Sequence, residues 1–307
     1  MKKILALCAV ALMLCSVSAF AHVPEGVIYA AWQWPTSQLP NLDGDISEWD
    51  VIPAELWLDH NDPAIIVGEG DVGRAVDAAN LAFRFAASWN DELDRMYFVF
   101  DRFDDVWDRD GGGVGCCGQD DSIEISVDAD HSAGWFWWNP ADFDDDEEQA
   151  IRERGRHAQT AHYRWPALEP FGWKWFWMTS SDWHDKEPYA CCADSYKLEG
   201  SHGSEATIQV EWYTAVWDDY DHASPETSIP HDLVEGDIIG MGMQIIDNDN
   251  GNEDDPKTAK WSLGGQSDIY GNGDSISDFL LLPVDTDLLP SAVENDSWGQ
   301  IKASFAE

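Results

Sequence analysis

The chain has 307 residues, with 59 acidic against 17 basic side chains and a formal net charge of −42. Such acidity repels phosphate backbones and anionic lipid surfaces, which argues against nucleic acid or a membrane as partner. A hydrophobic content of 44% with 18 tryptophans excludes an acidic disordered chain and predicts a folded core.

Lys2 and Lys3 precede an apolar run over residues 4–17, followed by Ala19-Phe20-Ala21. This pattern predicts a secretory leader over 1–21, cleaved after Ala21. The run is shorter than the roughly 20 residues of a membrane span. The mature protein is therefore expected to be secreted, either extracellular or periplasmic. Cleavage makes His22 the first mature residue. A copper-binding histidine brace starts in this way, but it needs a second histidine adjacent in space and a different fold, so the position of His22 reads as coincidence. The remaining histidines are scattered, with no zinc spacing.

Strands are predicted at residues 27–34, 81–87, 96–102, 122–128, 161–165, 173–178, 195–199, 206–212, 237–247 and 279–282. Turn signals of Gly, Asp, Asn and Pro separate them, and no long segment has a 3.6-residue period. Two are clearest. Met96, Phe98 and Phe100 alternate with Tyr97, Val99 and Asp101. Ile123, Ile125 and Val127 alternate with Ser122, Glu124, Ser126 and Asp128. Each reads as a strand with one buried face. The whole reads as an all-β chain: one antiparallel, jelly-roll-like β-sandwich over 22–284 with long loop insertions. The largest insertion runs from 129 to 201, and residues 285–307 form a C-terminal tail without periodicity.

Four cysteines remain after the leader, as the doublets Cys116-Cys117 and Cys191-Cys192. In an exported protein four cysteines point to disulfides. Adjacent cysteines bridge each other poorly, so pairing between the doublets is expected. A four-thiolate zinc site lacks its usual Cys-x-x-Cys spacing.

The stretch 247–255 gathers oxygen donors: Asp247, Asp249, Asn250, Glu253 and Asp255. Calcium takes six to eight such ligands. The spacing is not that of an EF-hand, because Gly251 is fifth and Thr258 twelfth in the loop. The acidic run 142–148 reads as solvated surface. Among aromatics, Trp173, Trp175 and Trp177 share a face if extended, and Trp135, Trp137 and Trp138 cluster. Either set is a sugar platform or core filling. With 59 acids, a carboxylate pair at hydrolase spacing carries no weight. No Gly-x-Ser-x-Gly or phosphate loop occurs, so no enzyme is expected.

Four blocks resemble the family 9 carbohydrate-binding module and its DOMON-related relatives. They are Leu42-Asp-Gly-Asp-Ile-Ser-Glu-Trp-Asp50, the pair of strands spanning Met96 to Asp128, Gly203-Ser-Glu-Ala-Thr-Ile-Gln-Val-Glu-Trp212, and Gly236-Asp-Ile-Ile-Gly-Met-Gly-Met-Gln-Ile-Ile-Asp-Asn-Asp249. They lie in the family's order. The resemblance implies a sandwich that binds carbohydrate without catalysis, together with structural calcium. Sugar-binding relatives clamp a terminal sugar between two tryptophans. This chain has Cys116-Cys117-Gly-Gln119 at the first position and Ile269-Tyr270 at the second. The expected substitute is Trp107, with Trp261 or Tyr270 as the second wall and Gln119 or Asp121 near the hydroxyls. Two other uses of the fold remain open: haem held by Met241, Met243 or His162, and a surface or adhesion protein using the sandwich for protein contacts.

Overall fold

The computed structural model describes residues 22–70, 77–109, 120–168, 172–176, 183–249 and 259–285. Its strands are β1 (Ile28–Gln33), β2 (Leu58–Asp59), β3 (Ile65–Gly70), β4 (Leu81–Asn90), β5 (Arg95–Trp107), β6 (Ser122–Asp128), β7 (Gln159–Leu168), β8 (Gly172–Phe176), β9 (Ala190–Cys191), β10 (Tyr196–Gly200), β11 (Ser204–Ala215), β12 (Trp217–Asp219), β13 (Ile229–Pro230), β14 (Ile238–Asp247), β15 (Ala259–Leu263) and β16 (Ser277–Leu281). One short helix, α1 (Glu147–Glu153), lies in the large insertion. All ten predicted strands are present.

Two sheets pack face to face. The first runs β10-β11-β5-β4-β1, with β2 beside β4 and β9 beside β11. The second runs β1-β16-β14-β6-β7-β8, with β15 beside β14 and β3 outside β15. β1 belongs to both. Its first four residues pair with β16 and its last two with β4, both in parallel, and the other strand pairs are antiparallel. The architecture is an all-β sandwich.

The inward residues are those of the predicted alternation. Phe98 and Phe100 on β5 and Trp212 on β11 meet Ile123 and Ile125 on β6 and Met243 and Ile245 on β14 in one core. The outward face of the first sheet is also covered. Trp32, Trp34, Ile46 and Trp49 pack over Ala86, Tyr97, Val99 and Tyr213 as a second cluster. The sequence predicts a solvent face on β6, and the structure corrects this. Ser122, Glu124, Ser126 and Asp128 are all buried; Ser126 Oγ donates to the Ile269 carbonyl in the segment that links β15 to β16, and Glu124 lies between Lys260 of β15 and His162 of β7. Gly242 on β14 lets that segment approach, since a Cβ there would lie 2.7 Å from Ile276 and 2.9 Å from Ile269.

The Leu42–Asp50 block folds onto Glu211 of β11. Asp43 N and Gly44 N donate to Glu211 Oε1 at 2.7 and 2.8 Å, and Trp49 Nε1 donates to Oε2 at 2.7 Å. Gly44 has φ +85° and lies so near Tyr196 that a Cβ would come within 2.5 Å of its backbone. Burial pushes the Glu211 carboxyl up to about 7, against the three donated hydrogen bonds. The unfolded carboxyl titrates near 4.5, so the folded state binds the extra proton between the two values. The group's stabilising contribution is full below pH 4.5 and is lost as pH rises through 7. Glu211→Gln should therefore flatten the decline of melting temperature over this range relative to the native chain. Parallel melting curves for the two proteins would show that Glu211 is ionised throughout.

Candidate functional site

Five of the residues predicted for sugar or for calcium, Trp107, Asp121, Asp247, Asp249 and Trp261, come together at the end of the sandwich where β5 and β14 finish and β6 begins. Arg102 of β5 stands at their centre. Its Nε donates to Asp104 at 2.9 Å, its Nη1 to the Ile246 carbonyl at 2.9 Å and its Nη2 to Asp121 Oδ1 at 2.7 Å. Asp247 Oδ1 lies 3.8 Å from Nη2. Asp121 also accepts from Asp108 N at 2.6 Å and Asn248 N at 2.9 Å. The Asp108 carboxylate in turn accepts from Asn248 Nδ2 at 2.7 Å.

These contacts correct the sugar-site expectation. Trp107 is the last residue of β5 and not a loop residue; it is 3% exposed, with the Arg102 guanidinium 5.3 Å from its ring. Trp261 is a core residue of β15, and its Nε1 approaches Asp247 Oδ2 at 3.5 Å. Asp121 is fully buried and both its oxygens accept hydrogen bonds. None of the three faces a ligand. Gln119 lies outside the described residues.

The calcium expectation fares differently. Asp247 and Asp249 come together with Asp104, one oxygen of each lying within 4.8 Å of the others. Asp104 is a member that spacing along the chain did not reveal, because it comes from β5. Asn250, Glu253 and Asp255 lie outside the described residues. Burial opposes the Arg102 charge, yet Asp121, Asp104 and Asp247 overcome this and raise its pKa. The carboxylates are strained the other way. Burial drives Asp121 well above its ordinary value despite Arg102, and it raises Asp247 as well. Burial and then Asp247 push Asp249 up to about 6. Asp104, Asp121 and Asp247 thus share one guanidinium, with Asp249 close to two of them, and Asp247 Oδ1 accepts no hydrogen bond. Hard oxygen donors with surplus negative charge fit a calcium ion.

A separate aromatic surface lies beyond the far end of β6. Trp135 is 43% exposed, the one exposed tryptophan among the described side chains. It bridges Asn272, and Phe136 N donates to the Gly271 carbonyl at 2.8 Å. Trp137 packs edge-on to Tyr270 with ring centroids 5.2 Å apart, and the Arg154 guanidinium lies 5.6 Å from the Trp137 ring. Asn139 and Asp274 are exposed beside them, and Asn272 donates to Asp268 at 3.0 Å. Tyr270 therefore partners Trp137 and cannot form a second wall for Trp107, which lies inside the sandwich.

Other candidates resolve plainly. Trp173 is core, while Trp177 lies outside the described residues. The acidic run is partly structural. Asp142 accepts from Asn139 N at 2.8 Å, and Asp146 caps α1. Met241 and Met243 are core residues. His162 is on the other face, opposite Glu124, so these residues cannot ligate one haem from two sides. The sulfurs of Cys191 and Cys192 stand against each other, and Cys116 and Cys117, the other half of the expected cross-pairing, lie outside the described residues.

No protein-family model matches the chain, and no curated protein matches it. Among solved structures the fold is similar to a family 9 carbohydrate-binding module from Caldicellulosiruptor kristjanssonii in complex with cellotriose. The TM-score is 0.47 at 11% identity, covering 86% of this chain and 97% of that one. The module from the same organism in complex with glucose gives 0.46 at 10% identity, covering 86% and 99%.

Trp107→Ala tests the corrected assignment. Loss of a core tryptophan that roofs a buried cation should destabilise the protein by about 3–5 kcal/mol, read from the denaturant midpoint. A loss within about 0.5 kcal/mol, the range of exposed positions, would return Trp107 to the surface.

Proposed function

We propose that this is an exported, non-catalytic protein that binds an oligo- or polysaccharide by stacking it on Trp135, and that calcium held by Asp104, Asp247 and Asp249 stabilises it. The observation that carries the sugar reading is the exposed Trp135 indole, set among polar side chains on the loops after β6 and before β16. A pyranose offers a C–H face to such a ring and hydroxyls to its neighbours. Asn139, Asp268, Asn272 and Asp274 supply the polar surroundings. Their acidity favours neutral or cationic sugars over uronates and sulfated chains. No helix among the described residues is long and apolar enough to cross a membrane. The leader expected over 1–21 supplies the route of export.

One exposed ring with a few hydrogen bonds supports dissociation constants on the order of micromolar to millimolar. A glycan array followed by calorimetry should find such binding. Trp135→Ala should abolish it with the melting temperature nearly unchanged, because the ring is not core. Binding that survives Trp135→Ala would sink the Trp135 platform, and an array with no neutral or cationic glycan bound would sink the sugar reading itself.

The calcium reading rests on the surplus of carboxylates around Arg102. An ion bound only by the folded state stabilises it by RT ln(1 + [L]/Kd). Calcium should raise the melting temperature of chelator-treated protein, and Asp247→Asn with Asp249→Asn should remove that increment. Identical melts with calcium and with chelator would leave Arg102 as the sole counter-charge.

A further inference from the structure

A second convergence of ligating groups lies apart from the Arg102 cluster, on the loop after β6 that also carries Trp135 and at the start of β16. His22 and His131 meet at Asp278 of β16. His22 Nδ1 contacts Asp278 Oδ1, and His131 Nε2 contacts the same oxygen at 2.9 Å. The two imidazoles stand edge to face with centroids 4.3 Å apart, and the three ligating atoms lie within 4.8 Å of one another. His22 and Asp278 are each 4% exposed. His131 is partly open to solvent, which provides a route of entry.

The groups are held independently of one another. Val23 N donates to the Ile276 carbonyl at 2.9 Å, and Ser277 Oγ donates to the Val23 carbonyl at 2.5 Å. The chain at His22 is therefore docked along the start of β16. His131 follows β6 in a left-handed turn with φ +54°, a conformation histidine tolerates better than most residues. The Asp128 carboxylate clamps that turn, accepting from Ser132 N at 3.1 Å and Ala133 N at 2.6 Å. Asp278 is fixed in register with Gly240 of β14. Three separate parts of the chain thus aim two imidazole nitrogens and a carboxylate oxygen at one point.

We propose that His22, His131 and Asp278 form a site for a divalent transition-metal ion, with copper(II) favoured over zinc(II). Two imidazoles and one carboxylate suit this class and not calcium. The order of affinities for nitrogen sites places copper above zinc. The ring nitrogen that faces the carboxylate is Nδ1, from which a metal closes a six-membered chelate with the residue's own backbone nitrogen. Cleavage after Ala21 turns that nitrogen into a free amine and makes it a third nitrogen ligand. This last ligand rests on the expected leader; the other three do not. His131 supplies the second histidine adjacent in space, which sequence spacing alone did not single out.

The test uses mature protein beginning at His22, stripped of metal and titrated with copper(II) and, separately, zinc(II). Stoichiometry is read by dialysis and elemental analysis, and copper coordination by electron paramagnetic resonance. One tightly held equivalent of copper with nitrogen hyperfine structure is expected. His131→Ala and Asp278→Asn should each weaken it by at least roughly tenfold, equivalent to about 1.4 kcal/mol. His131 is a loop residue, so His131→Ala should keep the melting temperature of the metal-free protein. His131→Gln, which keeps a polar side chain without imidazole, gives a second reading of the same loss. A form with one extra alanine before His22 isolates the amine: weaker binding there confirms the chelate, and unchanged binding removes only that ligand. Absence of a stoichiometric equivalent, or equal affinity in His131→Ala and the native protein, overturns the site.

Discussion

Arg102 is the group on which both sheets depend. It leaves β5 in the first sheet, and its guanidinium ends among Asp121 and the β14 residues Ile246 and Asp247 in the second. A lone guanidinium at zero exposure is several kcal/mol too costly to keep. The carboxylates around it are equally costly without it. Each side therefore requires the other, and the two sheets come into register where the cluster closes. Trp107 completes the arrangement by laying an aromatic face near the cation, adding attraction while excluding water. This is why Trp107 and Asp121 cannot serve a sugar: their faces and lone pairs are already engaged inside.

Glu211 solves the same problem with donors instead of a cation. It lies on the outward face of β11, where a carboxylate would ordinarily meet water. The Leu42–Asp50 block covers it and supplies two backbone N–H groups and the Trp49 indole. Covering the carboxylate brings Trp49 into the cluster with Trp34 and Tyr97, so one polar anchor organises a second apolar layer. Two of the sequence blocks thus prove to be two halves of one contact.

The strands were legible because period-two alternation follows from the pleat and needs no tertiary information. Burial of the second face was not legible. Ser122, Glu124, Ser126 and Asp128 have the composition of a solvent face, and the groups that meet Ser126 and Glu124, Ile269 and Lys260, arrive from more than 130 positions away. Trp107 and Trp261 were misplaced for a related reason. Acidic, glycine-rich neighbours mark a loop, yet both residues belong to strands whose partners are distant in sequence. The Asp247–Asp249 pair was visible from local density of oxygen donors, whereas Asp104 and His131 enter their clusters only through folding. Exposure, which singles out Trp135 among so many tryptophans, is a property of packing and has no local signature.

The charge balance ties these features together. Of only 17 basic side chains, Arg102, Arg109, Arg164, Lys174 and Lys260 are buried. Arg102 and Arg109 face buried carboxylates, and Lys260 reaches Glu124 at 2.9 Å. Burial opposes the Glu124 charge, and Lys260 and His162 overcome it to lower its pKa. Lys174 has only the His184 carbonyl and Thr214 hydroxyl as hydrogen-bond acceptors among these contacts, and burial lowers it to about 7. Long cationic side chains are seldom buried without such partners. Placing scarce cations inside neutralises the acids that folding must desolvate, and it leaves the surface acids uncompensated. A surface of that kind repels anions and concentrates cations around it. Neutral polyols and metal ions are therefore the ligands with which both the exposed Trp135 ring and the converging carboxylates and imidazoles are electrostatically compatible.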